Sequence, residues 1–210
     1  VAFPTTSVQK TFPQSDGLLT SQDSDFSALG GATTSSIVSN TVVNGTAAYV
    51  GNYLDTPADQ GTDMECYIDC VDSGAYFGVF ARLTTPAGSY DGYQASWATP
   101  TVTAQRLDNG VQTQIGSSAS VTLATGDALG VEVIGSAIKV YTRQSGTWTE
   151  RVSTTDATYS AAGTVAFDMF QGGSFIGLDN MGYGPAVAAG TSLPRRSRRA
   201  YAGLTMRGAR

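Results

Sequence analysis

The sequence contains no histidine. That removes imidazole as a base, nucleophile or zinc ligand, and with it the hydrolase triads that depend on a histidine. Cysteine is scarce, with Cys66 and Cys70 the only two. Four positions apart on an alternating run, they are separated by roughly 13 Å on one strand, beyond the reach of a disulfide. They read as small apolar core residues and leave the redox compartment open. Charged residues make up only 14% of the chain, and just three of them, Glu65, Glu132 and Glu150, are glutamates. No apolar run approaches the roughly 20 residues of a membrane-spanning helix, so no membrane partner is expected. The opening residues, VAFPTTSVQKTFPQSDGLLT, have neither a basic n-region nor an apolar h-region and do not read as a signal peptide.

Glycine, serine and threonine are abundant, and β-branched or aromatic runs keep meeting turn residues. This pattern favours many short strands in one all-β domain. The most regular stretch is residues 121–141, VTLATGDALGVEVIGSAIKVY. Leu129, Val131 and Val133 fall on one parity with Glu132 opposite. After Gly135-Ser136, Ile138 and Val140 face one way and Lys139 the other, which predicts a hairpin of half-buried strands. Residues 64–71 alternate as strictly, with Met64, Cys66, Ile68 and Cys70 against Glu65, Tyr67 and Asp69. Asp72-Ser73-Gly74 is read as the turn into a strand over 76–83, and Asn44-Gly45 as the turn joining 37–43 to 47–50. Strands follow over 90–97, 102–107, 111–115 and 147–153. Val165, Phe167 and Met169 mark a late core strand, and a last one falls within 174–183. With no internal repeat, two stacked antiparallel sheets are the remaining solution.

The charge is divided. All 17 acidic residues precede Leu193, while six of the 12 basic ones follow it. An acidic body of −11 therefore carries a tail of +6. The tail, LPRRSRRAYAGLTMRGAR, suits docking on an acidic protein surface: Arg195, Arg196, Arg198 and Arg199 supply charge, and Tyr201, Leu204 and Met206 supply apolar anchors. Nucleic acid is disfavoured because the acidic body opposes the same polyanion. Residues 1–20, with Phe3 and Phe12 among prolines, read as an extended arm that packs on something, such as a neighbouring subunit. The boundaries are then 1–20 for the arm, 21–185 for a sandwich and 186–210 for the basic tail.

The order of these pieces resembles the concanavalin A-like lectin/glucanase (LamG-like) jelly rolls found in phage virion proteins and bacterial carbohydrate-binding modules. Asp25-Phe26, ECYIDCVDSGAYFGVFARL, YDGYQASW, RLDNGVQTQI, TGDALGVEVIGSAIKVY and the closing GLDNMGYG carry the likeness over roughly residues 20–185. It implies a two-sheet antiparallel jelly-roll sandwich. It also implies a structural calcium, for which Asp25, Asp179 and Asn180 are the candidates, with no cofactor required. Glucanases of this fold carry clustered acids of the ExDxE kind; here Tyr67 stands where a middle acid would be, and no enzyme is expected. Sugar binding needs flat aromatic faces beside hydroxyl-binding groups. Tyr67, Tyr93 and Trp97, with Asp69, Arg82 and Gln94, are the set read for it.

An extracellular-type fold without a leader, the lack of a catalytic set and appendages at both ends point to a non-enzymatic virion component. A phage minor tail, fibre or capsid decoration protein would fit, fastened to other virion proteins by its arms and displaying the domain toward a cell-surface glycan. The alternative is a secreted bacterial carbohydrate-binding module.

Overall fold

The computed structural model describes residues 2–6, 8–30, 32–44, 49–54, 61–72, 74, 76–84, 86–170 and 176–187. Sixteen strands, β1 (Val8–Lys10), β2 (Gly17–Leu18), β3 (Phe26–Ala28), β4 (Ser36–Val38), β5 (Thr41–Val43), β6 (Tyr49–Leu54), β7 (Met64–Asp72), β8 (Tyr76–Thr84), β9 (Asp91–Ala98), β10 (Thr101–Asp108), β11 (Val111–Ser120), β12 (Ala128–Ile134), β13 (Ala137–Gln144), β14 (Thr147–Thr155), β15 (Thr164–Phe170) and β16 (Gly177–Pro185), form two antiparallel sheets. One runs β14-β13-β12-β7-β16-β5-β4-β2, with β1 also on β16; the other runs β11-β10-β9-β8-β15-β6-β3. These are the two stacked antiparallel sheets that the strand pattern predicts, in the jelly-roll sandwich that the resemblance implies. The single short helix among the described residues, α1 (Leu19–Gln22), sits between β2 and β3. No helix among the described residues is long and apolar enough to cross a membrane.

Alternation decides which face each sheet buries. From the nine-stranded sheet Cys66, Ile68 and Cys70 meet Leu129, Val131 and Ile138, and from the seven-stranded sheet Phe77, Val79, Trp97 and Phe167 complete the same buried core. Each large side chain removed from water contributes roughly 1.5–3 kcal/mol, so this shared layer is the main stabilising term. Both cysteines are free and buried, as their spacing requires.

Two expected turns are not hairpins. β7 and β8 lie in different sheets, so the chain changes layer between Asp72 and Tyr76. The segment 37–43 is itself a hairpin: Val38 pairs with Thr41 across Ser39-Asn40, whose φ values are both positive, at 50° and 64°. Asn44 then leaves for the other sheet, because β5 and β6 belong to different layers. Serine and asparagine tolerate the left-handed region well enough to close a tight turn without glycine.

The described residues among the first 20 are built into the sandwich. β1 pairs with β16, β2 pairs with β4, and Phe12 belongs to the core. Residues 2–6 lie on the outer face of the nine-stranded sheet, where Phe3 stacks on Tyr141 with ring centroids 4.1 Å apart. Glu65 Oε1 accepts hydrogen bonds from the backbone N–H groups of Thr5 and Thr6 and from the Thr6 hydroxyl. The arm thus docks on its own chain, because the apolar Phe3 ring has an aromatic seat there.

Candidate functional site

The sequence-selected aromatic set is dispersed by the fold. Tyr93 and Trp97 share the inward parity of β9 and are 0% and 1% exposed. Trp97 Nε1 donates to the Val121 carbonyl, and the Tyr93 hydroxyl donates to Asp156. These rings are core, and neither offers a face to a ligand. Arg82 is also buried, its guanidinium spent on the carbonyls of Thr62, Gly135 and Tyr159 and on Asp63. Tyr67 and Asp69 do lie on an outer sheet face, that of the nine-stranded sheet. Tyr67 is covered by the edges of Phe3 and Trp148, and Asp69 is held by Arg143 at 2.9 Å and Asn180 at 3.2 Å.

The outer face of the seven-stranded sheet carries a cleft that sequence reasoning missed except for Gln94. Outward parity on β6, β8, β9, β11 and β15 places Tyr49, Tyr76, Gln94, Gln112, Asp168 and Phe170 together. Tyr90 and Gly110 close one side, and the cleft encloses about 420 Å³. A second hollow of about 460 Å³ shares Tyr49, Tyr90 and Gly110 and extends toward Gly30, Gly88 and Asn109. The tight Asn109-Gly110 turn holds this wall, with the Gly110 N–H donating to the Tyr90 carbonyl at 2.7 Å.

Register explains why a polar floor exists inside a sheet. Asp168 on β15 faces Gly51 of β6 and Gly78 of β8. A Cβ on Gly78 would fall 2.7 Å from Asp168 Oδ1 and closer still to Gln94 Nε2. Glycine at 78 is therefore what lets Gln94 reach across to Asp168, at 3.0 Å. The same amide donates to the Tyr76 hydroxyl at 2.9 Å, and Gln112 Nε2 donates to Tyr76 and to Gln94 Oε1 at 2.9 and 3.0 Å. Tyr49 donates to Asp168 Oδ2 at 3.3 Å and lies 3.0 Å from the Tyr90 hydroxyl.

Asp168 is fully buried, and burial pushes its carboxyl up to about 7 against the opposing pull of the Tyr49 and Gln94 hydrogen bonds. Burial and the nearby Asp168 charge raise the Tyr49 and Tyr76 phenols as well, so both stay protonated near neutrality. Phe170, by contrast, is 47% exposed at the rim. The cleft thus combines open aromatic surface with hydroxyls and amides in fixed orientation, and Asp168 is the one carboxylate among its described lining residues.

The calcium candidates do not assemble into an oxygen cage. Asp25 is ion-paired to Lys10 at 2.6 Å, while Asp179 accepts from the Asn180 backbone N–H and lies in register with Asp69. A hard cation takes six to eight oxygens. Here an ammonium already sits on Asp25 and a guanidinium on Asp69, and no group of three or more acidic or thiol ligands forms among the described residues. Arg195, Arg196, Arg198, Arg199, Tyr201, Leu204 and Met206 lie outside the described residues.

No protein-family model and no curated protein sequence matches the chain. Solved structures do. A carbohydrate-binding module, CBM66 from Bacillus subtilis, aligns at TM-score 0.53 and 13% identity over 77% of this chain and 93% of its own. A legume lectin-like domain from Entamoeba histolytica aligns at 0.58 and 13% over 78% and 91%. The mannose- and calcium-bound exoplasmic/lumenal domain of VIP36 aligns at 0.60 and 10% over 82% and 87%. The fold is accordingly that of the lectin-like jelly rolls.

Proposed function

We propose that this domain binds carbohydrate without cleaving it, in the cleft between Tyr49, Tyr76, Tyr90, Gln112 and Phe170. The supporting observation is the hydrogen-bonded floor of Gln94 and Asp168 beneath an exposed phenylalanine ring. An aromatic ring face suits the C–H face of a pyranose, and oriented phenols and amides suit its hydroxyls. The fold's likeness to carbohydrate-binding domains favours the same reading. A glycosidase of the two-carboxylate type needs a second acid across the cleft, whereas Asp168 stands alone among the described lining residues.

Of the two settings drawn from the sequence, the carbohydrate-binding module is carried forward. It rests on described residues, whereas attachment to a virion rests on the two terminal arms, of which the first packs on its own sheet and the basic one lies outside the described residues. A secreted or lumenal location follows from that reading, since those are the places where glycans are displayed. The test is a glycan array on the wild-type chain, followed by Gln112→Ala. Gln112 is exposed on β11, at the edge of its sheet, so its loss leaves the core intact. Specific hits weakened by roughly tenfold, about 1.4 kcal/mol, at unchanged thermal stability support the reading. An array without hits refutes it.

A further inference from the structure

The hydrogen bonds of the cleft have a direction that its chemistry forces. Gln94 must turn its NH2 toward Asp168, because a carboxylate oxygen only accepts. Its Oε1 therefore faces Gln112, which in turn must present NH2. Both amides donate to the Tyr76 hydroxyl oxygen, filling its two acceptor positions, so the Tyr76 O–H is left to point into the cleft. With Asp168 ionised, Tyr49 gives its proton to Asp168 and Tyr90 gives its own to Tyr49. Tyr90 then shows the cleft only lone pairs, as does the Oε1 of Gln112. A ligand meets one donor, two acceptors and a buried negative charge.

No cation offsets that charge among the described residues, because each of the six is committed elsewhere. Lys10 holds Asp23 and Asp25, Arg82 holds Asp63, Arg106 holds Asp108 and Asp156, and Lys139 holds Glu150. Arg143 holds Asp69, and Arg151 holds Thr142 and Gln144. The titratable groups facing Asp168 are Tyr49 from β6, Tyr76 from β8 and Tyr90 from the segment before β9.

Resting on the carbohydrate reading, we infer that the cleft selects uncharged, hydroxyl-rich glycans and rejects sialylated, uronate and sulfated ones. A hydroxyl accepts from Tyr76 and donates to Tyr90 or Gln112, whereas a carboxylate or sulfate can only accept and is repelled by Asp168. Because the Asp168 carboxyl is pushed up to about 7, the repulsion is fuller at pH 8 than at pH 6.

The experiment is a printed array of neutral oligosaccharides beside sialylated, uronate and sulfated ones, read with the wild-type chain at pH 6 and pH 8 and with Asp168→Asn at pH 8. The expected result is neutral hits roughly tenfold or more above acidic partners at pH 8, a narrower gap at pH 6 and a narrower gap in the variant. The wild-type pH series decides the matter even if the variant fails to fold. Acidic glycans bound as well as neutral ones at pH 8 would overturn the selectivity while leaving carbohydrate binding in place. Silence across the whole array would overturn both.

Discussion

Replacing Asp168 by asparagine should flatten the dependence of stability on pH. The carboxyl is pushed up to about 7 in the folded chain by complete burial, against about 3.9 in an unfolded one. Because the folded value is the higher, the native state binds this proton more tightly. The resulting stability is fully present below pH 4 and is lost as pH rises through 7. Integrating that linkage, the single group removes about 2–3 kcal/mol between pH 5 and pH 8, most of it below pH 7. For a domain of this size the loss corresponds to a fall of roughly 5–10 °C in melting temperature. Urea denaturation of wild type and Asp168→Asn at half-unit intervals measures it. Burial also raises the carboxyls of Asp69 and Glu132, but they titrate in both proteins and cancel in the difference. The difference curve should rise steadily in favour of asparagine from pH 5 to pH 7 and then level. Parallel curves would show that Asp168 is not the desolvated carboxyl described above.

Other substitutions separate scaffold from site. Phe3→Ala removes the ring stacked on Tyr141 and should cost about 3 kcal/mol in denaturant unfolding, showing that residues 2–6 belong to the folded domain. Arg82→Gln strands the carbonyls of Thr62, Gly135 and Tyr159 and should cost about 3 kcal/mol, again by denaturation. Trp97→Phe deletes the donor to Val121 and should lower stability by about 1–2 kcal/mol while leaving glycan affinity unchanged in calorimetric titration. Gly78→Ala drives a methyl into Gln94 and Asp168; it should cost about 1–3 kcal/mol and weaken glycan binding.

The sandwich was legible because its signal is local. Alternation in residues 64–71 and 129–141 names the buried face without reference to any partner, and turn residues such as Asn109-Gly110 and Gly135-Ser136 punctuate the strands where the structure has them. Sheet membership was not local. Asn44-Gly45 reads as a hairpin turn, yet β5 before it and β6 after it belong to different layers, and nothing in a dipeptide says whether the chain returns beside itself or changes layer. The aromatic candidates failed for a related reason. Trp97 and Gln94 sit three apart on β9, on opposite parities, and the larger ring drew attention although its parity was shared with Tyr93 and Ala95. The better signal was a polar residue on a strand otherwise rich in apolar ones: Gln94 within YQASW, and Asp168 within VAFDMF. Bringing those two together required the β15-β8-β9 register and the missing side chain of Gly78, and neither can be read from spacing along the chain.

The most direct test of the cleft as the carbohydrate site is an amide NMR titration of the intact chain with the strongest oligosaccharide from the array. Shifts concentrated at Tyr49, Tyr76, Gly110, Gln112 and Phe170 are the predicted result. Shifts centred instead on Tyr67 and Trp148, on the outer face of the nine-stranded sheet, would contradict it.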